Sequence, residues 1–244
     1  MARIVILGAT GSLGKHVTEQ AIAAHHEVSV LVRTPDKLPA ALRGQVTVHQ
    51  ADIAALSASD LAAAARDQDA MINAAGHVSD GERFVALVNQ IVTSVEILPP
   101  PERPICWFLA GAALLDIGNT GRRGVDLPPV AETYWPHAAN FQRLQASALD
   151  WRLLCPGPMV EASPVGIARL RVAIDRLPVE VPDGAGRLPD AALIQLFAER
   201  VPEMIVPYAD AAALMLTHLQ PMESVSCHRI GLALPIGMRG QKAG

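Results

Sequence analysis

The segment Gly8-Ala9-Thr10-Gly11-Ser12-Leu13-Gly14 constrains the fold of this chain more than any other. It follows the apolar run Ile4-Val5-Ile6-Leu7 and opens a stretch of helical period over 12–24, so a buried strand, a tight turn and a helix come in immediate succession. Gly8 permits the turn, Gly11 lets the backbone approach a ligand and Gly14 lets helix and strand pack closely. The free N–H groups at the helix start, around Thr10, Ser12 and Leu13, then face an anion. The spacing is Gly-x-x-Gly-x-x-Gly, one residue wider than the commonest dinucleotide fingerprint. With a second strand ending at Val32, the unit reads as a cradle for the pyrophosphate of a dinucleotide.

The rest of the chain repeats that alternation. Short apolar runs predict strands at 3–7, 28–32, 46–49, 70–74, 105–109 and 151–155, with room for a seventh at 228–232. Between them, helical periods fall at 12–24, 57–66, 81–97, 137–148, 164–177, 190–200 and 209–219. Ser57 with Asp60 reads as a capping box, and Thr34-Pro35 as a cap followed by proline at the first helical position. Strand then helix, repeated, predicts an α/β chain, a doubly wound parallel sheet with helices on both faces. Two stretches interrupt it, 116–136 and 178–189, and both read as loops. The first follows a strand end, where an open parallel sheet places its ligand, so it is a candidate lid.

A length of 244 residues suits one domain, and half of them are apolar but only 4% aromatic. Such a core of Ala, Val, Leu and Ile suits helix-on-sheet packing. The net charge of -4, with both signs interspersed, leaves no basic face for nucleic acid. No apolar run reaches the roughly 18 residues of a membrane span, and Met1-Ala2-Arg3 leads straight into the first strand, so a soluble, cytoplasmic protein is expected. Cys106, Cys155 and Cys227 are far apart and odd in number, which suits reduced thiols, and no His or Cys spacing reads as a metal site.

The end of the second strand bears on the choice of cofactor. An NAD site usually carries Asp or Glu there for the ribose 2′-hydroxyl, whereas this chain has Leu31-Val32-Arg33-Thr34. A guanidinium at Arg33 would pair with a 2′-phosphate, which points to NADP(H). Asp52-Ile53 after the third strand are candidates to flank the adenine, and Ala75 and Gly76 after the fourth are small where the chain must pass the cofactor; either pair can also be a simple turn.

Gly8 to Gly14, Leu31-Val32-Arg33, Ala51-Asp52-Ile53 and Leu149-Asp150-Trp151-Arg152-Leu153-Leu154-Cys155-Pro156-Gly157 resemble the atypical short-chain dehydrogenase/reductase superfamily. Within it the chain is similar to the group of flavin and biliverdin-IX-beta reductases and NmrA-like proteins. The resemblance implies a Rossmann-type sheet ordered 3-2-1-4-5-6, often with a seventh strand, and one domain over 1–244. It also implies that Pro156 lines the cofactor and that a pocket for a small-molecule substrate is built mainly from about 110–240.

Most active members of that superfamily use a Tyr-x-x-x-Lys pair for proton transfer, and this sequence cannot supply one. Tyr134 and Tyr208 are followed four residues later by Ala138 and Ala212, and the strand that usually ends in Ser or Thr ends in Leu109-Ala110-Gly111-Ala112. His137, with Tyr134 before it and Asn140 after it, is the remaining candidate for proton transfer, against the plainer reading of a histidine at a helix start. Arg122 and Arg123 could meet an acidic substrate or simply be solvated. The sequence thus supports an NADP(H)-dependent reductase of a conjugated or aromatic acceptor, where the cofactor supplies the hydride and solvent the proton. A redox sensor that binds NADP(H) without turnover is the alternative, and a nucleotide-sugar epimerase, which needs the tyrosine, the weakest.

Overall fold

Residues 1–241 are described by a computed structural model. The elements run β1 Arg3–Leu7, α1 Ser12–Ala23, β2 Glu27–Val32, α2 Ala40–Arg43, β3 Thr47–Gln50, α3 Ala58–Ala65, β4 Ala70–Asn73, α4 Glu82–Glu96 and β5 Ile105–Leu109. They continue α5 Pro128–Gln145, β6 Trp151–Cys155, β7 Met159–Val160, β8 Arg171–Ile174, α6 Asp190–Arg200, β9 Val206–Pro207, α7 Tyr208–Thr217 and β10 His228–Ala233. The main sheet is ordered β3-β2-β1-β4-β5-β6-β10-β8, parallel except for β8, which runs antiparallel to β10. The sheet is therefore Rossmann-type, with the expected order 3-2-1-4-5-6 and β10 as the seventh strand. β7 and β9 form a separate two-stranded parallel sheet.

Both faces of the sheet centre are covered, which is why Ile4–Leu7 of β1, Ala70–Ile72 of β4 and Ile105–Leu109 of β5 are unbroken apolar runs rather than alternating ones. In β1, Ile4 and Ile6 pack with Leu13, Val17 and Ala21 of α1 and Ala211, Leu214 and Met215 of α7, while Val5 and Leu7 join Leu61 of α3, Phe84 and Val88 of α4 and Phe141 and Leu144 of α5. Arg152 is the exception on β6, fully buried. Its guanidinium donates to the carbonyls of His218 and Gln220 beyond α7, and the Trp107 indole donates to the same His218 carbonyl, so polar groups in the core tie helix end to sheet. Burial also pushes the Cys106 thiol up to about 12 and the Cys155 thiol upward, leaving both as inert packing groups.

Several expectations need correction. α5 begins at Pro128, not at His137, because Pro128 and Pro129 occupy its first turn, where a missing N–H costs nothing; Pro136, which reads as a stop, lies inside the helix. The predicted helix over 164–177 is instead a short turn, Ile167–Arg169, and the strand β8, where Val172 and Ile174 are β-branched and the pairing with β10 overrides local helical period. Thr34 caps nothing with its side chain and is followed only by the turn Pro35–Lys37. At α3 the Ser57 hydroxyl accepts from the Asp60 N–H at 3.1 Å, but it also donates to the Asp60 carboxylate, which therefore does not return to the Ser57 backbone.

The stretch 116–136 is half helix, and its remaining loop is fastened. The Ile117 N–H donates to the Arg122 carbonyl at 2.8 Å, and Asp116 bridges to Arg123 and Arg176. Arg122 donates to the Leu188 carbonyl and pairs with Asp190; Arg123 pairs with Asp126 at 2.7 Å. Buried Arg229 donates to the Leu114 carbonyl at 2.7 Å and lies 4.9 Å over the Phe141 ring. The two arginines open to an acidic substrate in the sequence are thus engaged by carboxylates of the chain itself.

Candidate functional site

Parallel register brings the ends of β1, β2, β3 and β4 to one edge: Leu7 pairs with Leu31 and Asn73, and Val32 with Gln50. The residues that follow, Gly8, Arg33, Asp52 and Ala75, therefore share that edge although they are far apart in sequence.

The three glycines of the first turn answer to different constraints. Gly8 has φ +80°, and a Cβ there would lie 2.7 Å from the Ala75 nitrogen; a Cβ at Gly14 would lie 2.1 Å from the Gly8 carbonyl oxygen. Both are demanded by the packing of the chain on itself. Gly11 is exposed, and a Cβ there would meet only the Gly8 oxygen at 3.4 Å, an ordinary contact, so nothing inside the chain requires it to be glycine. It leaves the outer side of the turn bare at the point where α1 starts. Gly11 is also the N-cap, with no side-chain cap and no acidic residue in the first turn, so the leading N–H groups of this 12-residue helix have no side-chain acceptor. Bare backbone donors at the positive end of a helix fit a pyrophosphate.

Around this turn, Thr10 is half-buried, Ser12 is exposed and Leu13 is packed into the core, so Leu13 can offer a ligand only its backbone. Arg33 is exposed, and among the described residues its guanidinium has no carboxylate partner, whereas nearby Arg43 is paired with Asp36 at 2.9 Å. The Asp52 carboxylate accepts from the Ala54 N–H at 3.2 Å and caps the turn Ile53–Ala55, and Ile53 is buried in the core. Buried Asn73 accepts from the Ala75 N–H at 3.1 Å and shapes the β4 exit. Gly76, at φ +91°, leaves the place of its Cβ to the Phe84 ring, 2.4 Å from that point. The Pro156 carbonyl accepts from the Ala112 N–H at 2.8 Å, locking the exits of β5 and β6 together.

His137 stands at the β5 exit. Its Nε2 is 3.3 Å from the position a Gly111 Cβ would take, its ring stacks on Tyr134 at 6.1 Å and meets the Phe84 edge at 5.8 Å. Burial, followed by the charge of His77, pushes its pKa down to about 4, so the ring is neutral at physiological pH. Tyr134 is partly exposed at the rim, beside Trp135, whose indole lies 3.7 Å from the Gly81 Cβ position. Phe84 and His77 escaped the sequence reading because their only signal was membership of an apolar helix face and of a turn. Two surface recesses elsewhere are lined in part by paired charges, Arg171 with Glu203 and Arg3 with Asp69. Among the described residues no group of three metal-ligating side chains converges, and no helix is long and apolar enough to cross a membrane.

The uncharacterized protein YwnB of Bacillus subtilis is 26% identical over 159 residues, which covers 63% of this chain and 71% of YwnB. A proposed NADH-flavin reductase of Streptococcus pneumoniae has the same fold with a TM-score of 0.68 at 20% identity, over 96% of this chain and 100% of that one. ChuY, an anaerobilin reductase of Escherichia coli O157:H7, superposes with a TM-score of 0.64 at 17% identity, over 99% of this chain and 100% of its own. Residues 8–175, from the first glycine of the turn to Asp175 just after β8, match the NAD(P)H-binding family, and the chain belongs to that family.

Proposed function

We propose that this chain is an NADP(H)-dependent reductase of small conjugated or aromatic acceptors. The observation that carries the choice of NADP(H) is Arg33: an exposed guanidinium without a carboxylate partner, at the β2 exit where an NAD site would carry an acid. In this reading the N–H groups of Ser12 and Leu13 hold the pyrophosphate beside the bare Gly11, Arg33 holds the 2′-phosphate, Asp52 and Ile53 flank the adenine, and Ala75, Gly76 and Pro156 border the nicotinamide half. Bound there, NADPH would supply a hydride and become NADP+, and the acceptor would take the single proton it needs from water. His137 and Tyr134 face the acceptor, which lies mainly against residues 110–240. The reductase names of the two superposed proteins support this reading, and a cytoplasmic location belongs to the same proposal.

Calorimetric titration with NADPH, NADP+, NADH and NAD+ tests it. Arg33→Ala is expected to weaken NADPH by about 10- to 100-fold, the worth of a charge-assisted hydrogen bond, and NADH hardly at all. Equal loss of both would remove the NADP(H) assignment. The second reading, a cofactor-binding sensor without turnover, is favoured by one observation: α5 carries no Tyr-x-x-x-Lys, since Tyr134 is followed by Ala138. Steady oxidation of NADPH with a quinone or flavin acceptor would eliminate it.

A further inference from the structure

The buried face of α5 carries Pro136, His137, Asn140, Phe141 and Leu144. Two of these are polar and more than nine-tenths buried, His137 at 7% and Asn140 at 5% exposure. Most buried polar side chains in this fold are engaged: Thr18 donates to the Gly14 carbonyl, Ser94 to the Gln90 carbonyl, and Asp210 accepts from the Val165 and Gly166 N–H groups. In contrast, Nδ1 of His137 and both amide atoms of Asn140 have no hydrogen-bond partner. Each buried polar group left unmet costs about 1–3 kcal/mol, so a pair one helical turn apart on the same face is a large expense unless a ligand or its solvent meets it.

The position of the pair matters as much as its orphaned atoms. Gly111 lies just beyond β5 at the same sheet edge as the glycine turn, and the absence of its side chain is what admits the imidazole, whose Nε2 lies 3.3 Å from the missing Cβ. The ring is held between Tyr134 and the Phe84 edge, so its direction is fixed by packing rather than by a hydrogen bond. The surrounding charges give little to an anion. On the adjoining elements Arg123 is paired with Asp126 and Arg143 with Glu96, while Glu82 and Arg83 at the start of α4 and His77 and Asp80 on the turn beside it are exposed.

We propose that His137 and Asn140 form an acceptor-binding subsite for uncharged carbonyl compounds, in which the neutral imidazole donates a hydrogen bond to the carbonyl oxygen. This rests on the cofactor reading above and adds the acceptor's chemical class to it. A neutral imidazole holds and polarises the oxygen as a donor and does not act as a proton source, which leaves the proton to solvent. Asn140, about one turn further along α5, offers its amide NH2 and its carbonyl oxygen to the same bound group or to water it carries.

The test is calorimetric binding of menadione, an uncharged quinone, to the full chain saturated with NADP+. The unaltered protein is expected to bind it, and His137→Ala to weaken that binding about tenfold or more with NADP+ affinity unchanged. His137→Asn, which places an amide N–H near the unpartnered Nδ1 position, is expected to restore most of the affinity; a purely structural histidine would show no such rescue. Gly111→Ser, which keeps His137 but fills the space its ring uses, is expected to lose menadione and keep NADP+, and it stands in should His137→Ala fail to fold. Equal menadione affinity in the unaltered protein, His137→Ala and Gly111→Ser, or no menadione binding to the NADP+ complex, would overturn the subsite. Absence of NADP+ binding by the unaltered protein would instead overturn the cofactor reading.

Discussion

At the β1 and β4 exits, missing side chains let backbone lie on backbone: a Cβ at Gly14 would sit 2.1 Å from the Gly8 oxygen, and one at Gly8 would sit 2.7 Å from the Ala75 nitrogen. At the β5 exit a missing side chain does the opposite and makes room for another side chain, the imidazole of His137 arriving from α5. In the first arrangement all three glycines lie within seven consecutive residues, with Ala75 of the β4 exit closing against them, and its donors are main-chain N–H groups. The second joins residues distant in sequence, and its polar groups owe their properties to burial rather than to their identity. A cofactor shared by many proteins can be held by backbone, whereas the acceptor side is set by side chains from separate elements, free to differ from chain to chain.

The largest expected effect attacks the backbone side. Gly14→Ala forces a methyl into the Gly8 carbonyl, which no rotamer relieves, and should cost about 3 kcal/mol or more in urea unfolding. Gly11→Ala is the matched control, with its Cβ in ordinary contact, and should change stability by less than about 0.5 kcal/mol while weakening NADPH binding. Similar destabilisation by the two would mean that the turn is uniformly tight and that Gly11 is structural as well.

The side-chain wall is tested by pH. His137 has a folded pKa of about 4 against an ordinary 6.5, so the unfolded chain takes up its proton first. Stability from this group is full above pH 6.5 and is lost as pH falls toward 4, a loss on the order of 3 kcal/mol. Urea melts at pH 7 and pH 5 should therefore diverge less in His137→Phe than in the unaltered protein. His26, also lowered by burial and by the nearby N-terminus, is present in both proteins and cancels. An identical pH dependence in the two would show that the imidazole is more open to water than its 7% exposure implies.

The same contrast explains what was legible in the sequence. The Gly8–Gly14 turn, the six parallel strands and β10 could be read because apolar runs and glycine spacing are local signals, whereas the order of the strands came only with the family resemblance. The start of α5 could not, since Pro136 looks like a helix stop and only the packing of Pro136, His137 and Asn140 beneath the helix keeps it continuous. β8 was hidden for a related reason: Val172 and Ile174 are compatible with a helix until β10 offers a partner. His137 was visible as a residue, but its neutrality, its orphaned Nδ1 and its fit against Gly111 arise only when β5, α4 and α5 meet.

The smallest effect concerns the loop over 116–127, which decides whether the side-chain wall is fixed or able to open. Arg122 ties it to the Leu188 carbonyl and Asp190, but Asp190 is 56% exposed, so solvent screens the ion pair and Arg122→Ala should cost less than about 1 kcal/mol of global stability. Locally the consequence is larger, because the Ile117 N–H donates to the Arg122 carbonyl and the Thr120 N–H to the Ile117 carbonyl, both inside the loop that Arg122 anchors. Hydrogen exchange at these two amides should accelerate about tenfold in Arg122→Ala while core strands keep their protection. If the amides stay as protected as before, the loop is held by Arg229 and the Asp116 bridges alone, and opening it requires breaking the buried side of the network. In that case the acceptor wall is as rigid as the glycine turn, and the two sides differ in what they are made of but not in how they move.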